Sequence, residues 1–220
     1  MTYEELKEIK QRLDKWREER HLSYESQQKG FIPNVLDELR EYYLAKDDDE
    51  RVAELCDVII FCLNANELEE FNPNSKEMAS LRHLMGSLAS MISDNFTGLK
   101  LDFDGELAIM NIQGLIKTCI NIIKRMGYNP YECLKEKVKE IESRTGRYDE
   151  SLGKFIKDKG AYNLEEAQEL IISFYYIWKE NDIKYDKEDE EYFYFFITTE
   201  NNRIVKVKKW HKAKMIKCLA

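Results

Sequence analysis

The sequence from residue 34 to residue 63 reads NVLDELREYYLAKDDDERVAELCDVIIFCL. It contains two acidic pairs, Glu38 with Glu41 and Glu54 with Asp57. Residues three positions apart lie on the same face of a helix, one turn from each other. Three consecutive aspartates in the short connection between the pairs are suited to capping the second helix. The stretch therefore predicts two antiparallel helices that bring four carboxylates into one cleft.

The second of these helices is expected to be buried on nearly all sides. Asp57 is followed by the apolar run VIIFCL at 58–63, and a helix that is apolar all round belongs in a core. Acids near such a run need partners, and clustered carboxylates repel one another unless protons or cations neutralise them. Oxygen ligands without His or Cys favour Mg²⁺, with Mn²⁺ as a substitute. Solvated surface charge is the alternative, because an acidic pair on a helix is more often only that.

The composition favours helices beyond this stretch. The chain has 220 residues with only 9 Gly and 3 Pro, which argues against a β-sandwich and for an all-α bundle. Thr2 and Glu5 form a candidate capping box for the first helix, and residues 29–33 are expected to separate it from a helix that begins after Asn34. Further helices are expected at about 75–92, 106–126, 131–144 and 163–179, with an irregular basic loop at 146–160.

Only the end of the chain has strand character. Residues 192–199 are rich in aromatic and β-branched side chains, and residues 203–210 partly alternate apolar and basic ones. Asn201-Asn202 between them suits a turn, so a β-hairpin is predicted. The expected organisation is an all-α domain over 1–185 and a hairpin with a basic tail over 186–220.

The charge is unevenly distributed. The formal net charge is −8, but residues 203–220 hold seven Lys and Arg and no acid, which leaves −15 on the rest. An acidic body repels phosphorylated ligands unless cations intervene. The longest apolar run has six residues, far short of a membrane span of roughly 20. Five Cys without a Cys-x-x-Cys pair favour reduced thiols, so a cytoplasmic protein without membrane contact is expected.

The acidic stretch resembles the MazG-like, all-α nucleoside triphosphate pyrophosphohydrolases. Their mark is E-x-x-E, a spacer, then E-x-x-D, and here twelve residues separate Glu41 from Glu54. Trp16 and Glu19-Arg20 lie ahead of it on a helix that also looks like the family's. Asp37 departs from the many members with a second Glu at that position. The close resemblance covers about residues 4–65.

The resemblance implies a Mg²⁺-dependent enzyme. Glu38, Glu41, Glu54 and Asp57 would hold the metal, and the products would be a nucleoside monophosphate and pyrophosphate. Glu38 or Glu41 would act as general base. Asn34, one turn before Glu38, would contact the sugar or a phosphate. The family also implies a homodimer.

A base-stacking role is suggested for Trp16, although its place in the apolar stripe of the first helix is more often a core position. A second, weaker similarity to phage-type members covers GYNP at 127–130, KEIESRTG at 139–146 and GKFIKD at 153–158. It implies that Lys137, Arg144 and Lys154 contact the triphosphate, while a basic surface loop stays an equal alternative for each.

Two other functions stay open. In the first, the chain is a non-enzymatic helical protein that binds nucleic acid through residues 203–220, although the acidic body makes this unexpected. In the second, it is a dimeric regulatory protein.

Overall fold

A computed structural model describes residues 1–74, 81–96, 106–152, 154–175, 182–198 and 203–220. The chain divides into two compact units, one formed by Met1–Val138 with Ala213–Ala220 and the other by Lys139–Lys212. The boundary expected between residues 185 and 186 falls inside a strand of the second unit, Ile183–Glu188. Each unit is described by itself below.

The first unit is helical. Its elements are α1 (Tyr3–Glu18), α2 (Tyr24–Leu44), α3 (Asp48–Ala65), α4 (Leu81–Phe96), α5 (Glu106–Arg125), α6 (Pro130–Ser143, which ends in the other unit) and a 3₁₀ turn at Met215–Cys218. Within the described ranges, none of the helices has the length and apolar character required to traverse a bilayer.

Two predicted helix starts are confirmed. The Thr2 hydroxyl accepts from the backbone N–H of Glu5, whose carboxylate accepts from the Thr2 N–H, completing a capping box. At α3, the Asp47 carboxylate accepts from the N–H of Glu50 at 2.9 Å. Both caps satisfy N–H groups that the first helical turn leaves without partners.

The predicted break at residues 29–33 is wrong. Helix α2 runs through Gly30 and Pro33 from an N-cap at Ser23. Proline inside a helix costs about 3 kcal/mol, but Phe31, Val35 and Leu39 continue one buried stripe across it. Burial of each such side chain contributes roughly 1.5–3 kcal/mol, so the packing of this face outweighs the cost of the proline.

Helix α3 is the centre of the first unit, and its expected burial is confirmed. Leu55, Val58, Ile59 and Leu63 are all at most 2% exposed. It packs against α1, α2 and α5. Because only residues 45–47 connect α2 to α3, the two helices run antiparallel, as the acidic stretch predicts.

The last residues of the chain complete this unit. The backbone N–H of Asn129 donates to the carbonyl of Cys218 at 2.7 Å, and that of Ala220 donates to the carbonyl of Gly127 at 2.8 Å. Met215 and Cys218 are each 2% exposed. The segment 213–220 is therefore packed into the helical unit rather than extended as a solvated tail.

The second unit contains two sheets and a helix. Strands β1 (Gly146–Asp149) and β2 (Lys154–Lys157) form an antiparallel pair. Strands β3 (Gly160–Ala161), β4 (Ile183–Glu188), β5 (Tyr192–Ile197) and β6 (Arg203–Lys209) form a sheet in the order β3-β6-β5-β4. Helix α7 (Leu164–Tyr175) begins where Asn163 accepts from the N–H of Glu166 at 2.9 Å.

The prediction of an irregular loop at 146–160 is wrong, because β1 and β2 lie there. These strands are short, and their charged residues do not alternate clearly with apolar ones, so the strand period is hidden. At Gly146, an added Cβ would clash with the carbonyl oxygen of Ile156. Only glycine permits that close approach of two strands.

The predicted C-terminal hairpin is confirmed as a pair of strands. β5 and β6 are antiparallel, with Tyr192 opposite Lys208 and Ile197 opposite Arg203. Asn201 and Asn202 lie outside the described residues. The fold is therefore mostly helical with a small β region, rather than all-α.

Candidate metal centre

Three of the four predicted ligands come together between α2 and α3. Glu38, Glu41 and Glu54 each offer a carboxylate oxygen, and these oxygens lie within 4.8 Å of one another. Glu38 and Glu54 are half-buried, whereas Glu41 is exposed. The group therefore lies at the edge of the helix pair, with access from solvent through Glu41.

The apolar stripe sets this position. Leu39 is 4% exposed and Leu55 is fully buried, so each anchors its helix in the core one position away from an acid. The neighbouring acids are then held at the rim of the α2–α3 contact. The i, i+3 spacing places Glu38 and Glu41 on one face of α2, opposite Glu54 on α3.

Asp57 is outside this group of three and is paired with a cation. The Lys137 ammonium of α6 lies 2.7 Å from the Asp57 carboxylate, and the two side chains are 12% and 16% exposed. Asp57 is nonetheless close enough for its charge to act on Glu38. The structure thus contains a three-carboxylate cluster bordered by an ion pair, where the sequence predicts four ligands.

Crowding changes the ionisation of Glu38. Burial, the charge of Asp57 and a hydrogen bond with the Glu54 carboxylate raise the pKa of Glu38 to about 9. Two carboxyl groups that share a site cannot both ionise without a counter-charge. At neutral pH Glu38 therefore keeps a proton, which its hydrogen bond directs to the Glu54 carboxylate.

The cluster fits a small divalent cation. Its donors are all carboxylate oxygens, which are the ligands that Mg²⁺ and Mn²⁺ prefer. The raised pKa of Glu38 and the ion pair between Lys137 and Asp57 indicate that this place favours positive charge. A cation held by Glu38, Glu41 and Glu54 would replace the proton on Glu38.

The other predicted substrate residues are distributed over both units. Asn34 is exposed on α2. Trp16 is half-buried with the Arg20 guanidinium 4.6 Å from its ring centroid. Arg144 belongs to the second unit, where it contacts the Glu140 carboxylate and the Tyr162 hydroxyl. The backbone of Lys154 lies in β2, and its side chain is outside the described part of the chain.

A charged cluster that no sequence motif indicated lies on α1. Lys10 and Arg17 are 5% and 7% exposed, and both donate to Asp14, with 2.7 Å from Arg17. Lys10 also donates to the Tyr24 hydroxyl at 2.8 Å, and the Arg17 guanidinium lies 3.8 Å from the Tyr24 ring centroid. Lys10, Asp14 and Arg17 have the spacing i, i+4, i+7, which predicts that the three charges lie on one face of the helix.

A polar cleft adjoins this cluster through Tyr24. Its volume is about 410 Å³, within the range of small-molecule sites. The cleft is lined by Tyr24, Gln28, Ala65, Asn66, Glu67, Glu69 and Ile109. The Gln28 amide donates to the carbonyl of Ala65 at 2.9 Å, while the Asn66 amide nitrogen is buried and makes no hydrogen bond to the described residues. Amide residues follow no motif, so the sequence did not single them out.

Comparison with known proteins identifies no relative. No protein-family model, no curated protein and no solved structure matches the chain.

Proposed function

We propose that the first unit is a Mg²⁺-dependent nucleoside triphosphate pyrophosphohydrolase, which converts a (deoxy)nucleoside triphosphate to the monophosphate and pyrophosphate. The observation that carries the proposal is the cluster of Glu38, Glu41 and Glu54, whose oxygens lie within 4.8 Å of one another. Such a cluster is unfavourable in a helix pair without a counter-charge. A phosphate substrate requires the same counter-charge, so one bound cation serves both needs.

The side chains of the cluster and its border would have separate roles in the hydrolysis. Glu38, Glu41 and Glu54 would hold Mg²⁺, which when bound supplies charge neutralisation for the phosphates. Lys137, now 2.7 Å from Asp57, lies at the border of the cluster and would donate to a phosphate oxygen. Glu38 or Glu41 would accept the proton of the attacking water. The water oxygen bonds to the α-phosphorus, and pyrophosphate leaves with the electron pair of the broken bridge.

The products of hydrolysis test this proposal. The full chain is incubated with each NTP and dNTP plus Mg²⁺, and the products are separated by ion exchange. We expect the monophosphate and pyrophosphate in equal amounts. Orthophosphate with a diphosphate would contradict the proposal, and absence of turnover with every nucleotide would favour the non-enzymatic alternatives.

The pKa of Glu38 makes metal binding depend on pH. Because this group keeps its proton up to about pH 9, Mg²⁺ must displace the proton, so affinity should rise as pH increases from 6 to 9. The increase is at most about ten-fold per pH unit for one proton. Calorimetric titration at pH 7 in buffers of different ionisation enthalpy should show release of nearly one proton.

The matched variant for this experiment is Glu38→Gln. It cannot release that proton, so at Mg²⁺ concentrations high enough to load its weakened site the number of protons released per bound Mg²⁺ should fall close to zero. An equal count in the wild-type protein and the variant would show that the proton comes from elsewhere.

The homodimer implied by the family resemblance stays a prediction. In its support, α2 carries Leu36, Tyr43 and Leu44 with 43%, 63% and 65% of their surface exposed. Large apolar side chains grouped on one helix are typical of contact surfaces.

A further inference from the structure

The four-stranded sheet of the second unit has one covered face. Phe193, Phe195 and Ile197 of β5 are at most 6% exposed and pack with Ala167 and Ile171 of α7. Side chains alternate between the two faces of a strand. The residues between these three therefore belong to the opposite face, which α7 does not cover.

This opposite face carries a line of three aromatic rings. Tyr192, Tyr194 and Phe196 are all half-buried, in strict alternation with the fully buried positions of β5. The ring centroids of Tyr192 and Tyr194 lie 6.2 Å apart. We call this surface of Tyr192, Tyr194 and Phe196 the aromatic face.

Lysines flank the rings on both neighbouring strands. The register places Lys206 opposite Tyr194 on β6 and Lys187 opposite Tyr194 on β4, so the three form one row across the sheet. Lys208 is opposite Tyr192. The ammonium groups of Lys206 and Lys208 lie 4.1 and 4.7 Å from the centroid of the Tyr192 ring.

Acidic groups meet this surface at one end, near the β4–β5 turn. Asp189 accepts from the Tyr194 hydroxyl at 2.7 Å, and Glu191 pairs with Lys208 at 2.9 Å. Away from that end, Lys184 and Lys206 are exposed on either side of β5. The aromatic face thus combines π surfaces with positive charge along its length.

We propose that the aromatic face binds single-stranded nucleic acid. Unpaired bases stack on aromatic side chains, and lysines beside them neutralise the phosphates. A flat row of rings cannot reach bases that are stacked inside a duplex, so single strands are the form that fits. Three rings suit a segment of two or three bases. The inference is independent of the hydrolase proposal, since it uses no residue of the carboxylate cluster.

The binding experiment uses the full chain and a fluorescein-labelled dT20 at low salt. Fluorescence anisotropy should show saturable binding that weakens as salt increases. An abasic strand of the same length tests stacking, because it offers the phosphates without the bases. We expect the abasic strand to bind at least about ten-fold more weakly than dT20. We expect a 20-base-pair duplex to bind more weakly than dT20 by a similar factor. Equal affinity for dT20 and the abasic strand, or no binding to dT20, overturns the proposal.

Variants locate the binding on the aromatic face. Tyr194→Leu should weaken dT20 binding about ten-fold, since one base loses its stacking partner, whereas Tyr194→Phe keeps the ring and should keep the affinity. Tyr185→Leu is the matched control: this tyrosine is 46% exposed on the same sheet but is opposite Phe195, and so lies on the other face. Equal losses for Tyr194→Leu and Tyr185→Leu would overturn the assignment.

A charge variant keeps the test valid if Tyr194→Leu fails to fold. Lys206 is exposed, so Lys206→Gln should leave circular dichroism unchanged. It should lower the slope of log affinity against log salt by about 0.7 for a single strand. Lys29→Gln, on a helix of the first unit with 74% of the side chain exposed, should leave the slope unchanged. A Lys206→Gln slope equal to that of the wild-type protein also contradicts the proposal.

Discussion

Glu54→Gln is expected to abolish both metal binding and hydrolysis. The substitution removes the α3 carboxylate of the cluster, which also accepts the hydrogen bond from Glu38. Activity should fall by more than about 100-fold, because loss of a residue that only hydrogen-bonds to a metal ligand already costs roughly 10 to 100-fold. Mn²⁺ titration followed by electron paramagnetic resonance measures the metal affinity without requiring turnover.

The matched control is Glu25→Gln on α2. Glu25 is 76% exposed and pairs with Lys29 one turn away, so the same loss of charge should leave the Mn²⁺ affinity and the activity unchanged. In EDTA, Glu54→Gln should unfold at a temperature no lower than that of the wild-type protein, since it relieves repulsion. A Glu54→Gln protein that binds Mn²⁺ with unchanged affinity would refute the ligand assignment.

Lys137→Met is expected to destabilise the metal-free protein strongly. It removes the ammonium 2.7 Å from Asp57 and leaves that carboxylate, largely buried, beside the acidic cluster. Loss of one partner of a buried pair costs about 3 kcal/mol or more. The thermal midpoint in EDTA should fall accordingly. Mg²⁺ should then stabilise this variant more than the wild-type protein, because Asp57 becomes available as a further ligand.

Two further variants isolate the effect. The control variant is Lys135→Met on the same helix. Lys135 pairs with Glu132 at 3.2 Å, and its side chain is 31% exposed. Such a pair contributes at most about 1 kcal/mol to stability. In the double variant Asp57→Asn with Lys137→Met, much of the stability should return. Equal thermal midpoints for Lys137→Met and Lys135→Met would show that the Lys137–Asp57 pair contributes no more to stability than the Lys135–Glu132 pair.

The helical unit was readable from the sequence where several signals agreed. Around α3, the Asp47 cap and the long apolar run both indicate a buried helix, and the E-x-x-E and E-x-x-D spacing places the acids at its rim. At α2 the signals conflicted, because Gly30 and Pro33 indicate a break while the apolar spacing of Phe31, Val35 and Leu39 indicates continuation. Burial outweighed local propensity, and this depends on neighbours that a single segment does not reveal.

The carboxylate cluster was predicted only in part. The spacing places Glu38 and Glu41 on one face, but it cannot show that Lys137, eighty residues beyond Asp57, pairs with that carboxylate. The β1–β2 pair was missed because its strands lack a clear alternation. The hairpin of β5 and β6 was predicted. Its own sequence does not show that α7 packs against one of its faces, because that contact depends on a separate segment of the chain.

The order of the two units along the chain has a consequence for synthesis on the ribosome. Residues 139–212 form a continuous unit, whereas the helical unit needs residues 213–220, whose Met215 and Cys218 are buried in it. Domains fold as units while the chain grows at about 5–20 residues per second. The second unit can therefore fold before residues 213–220 have been translated, and these residues then complete the helical unit formed by residues 1–138.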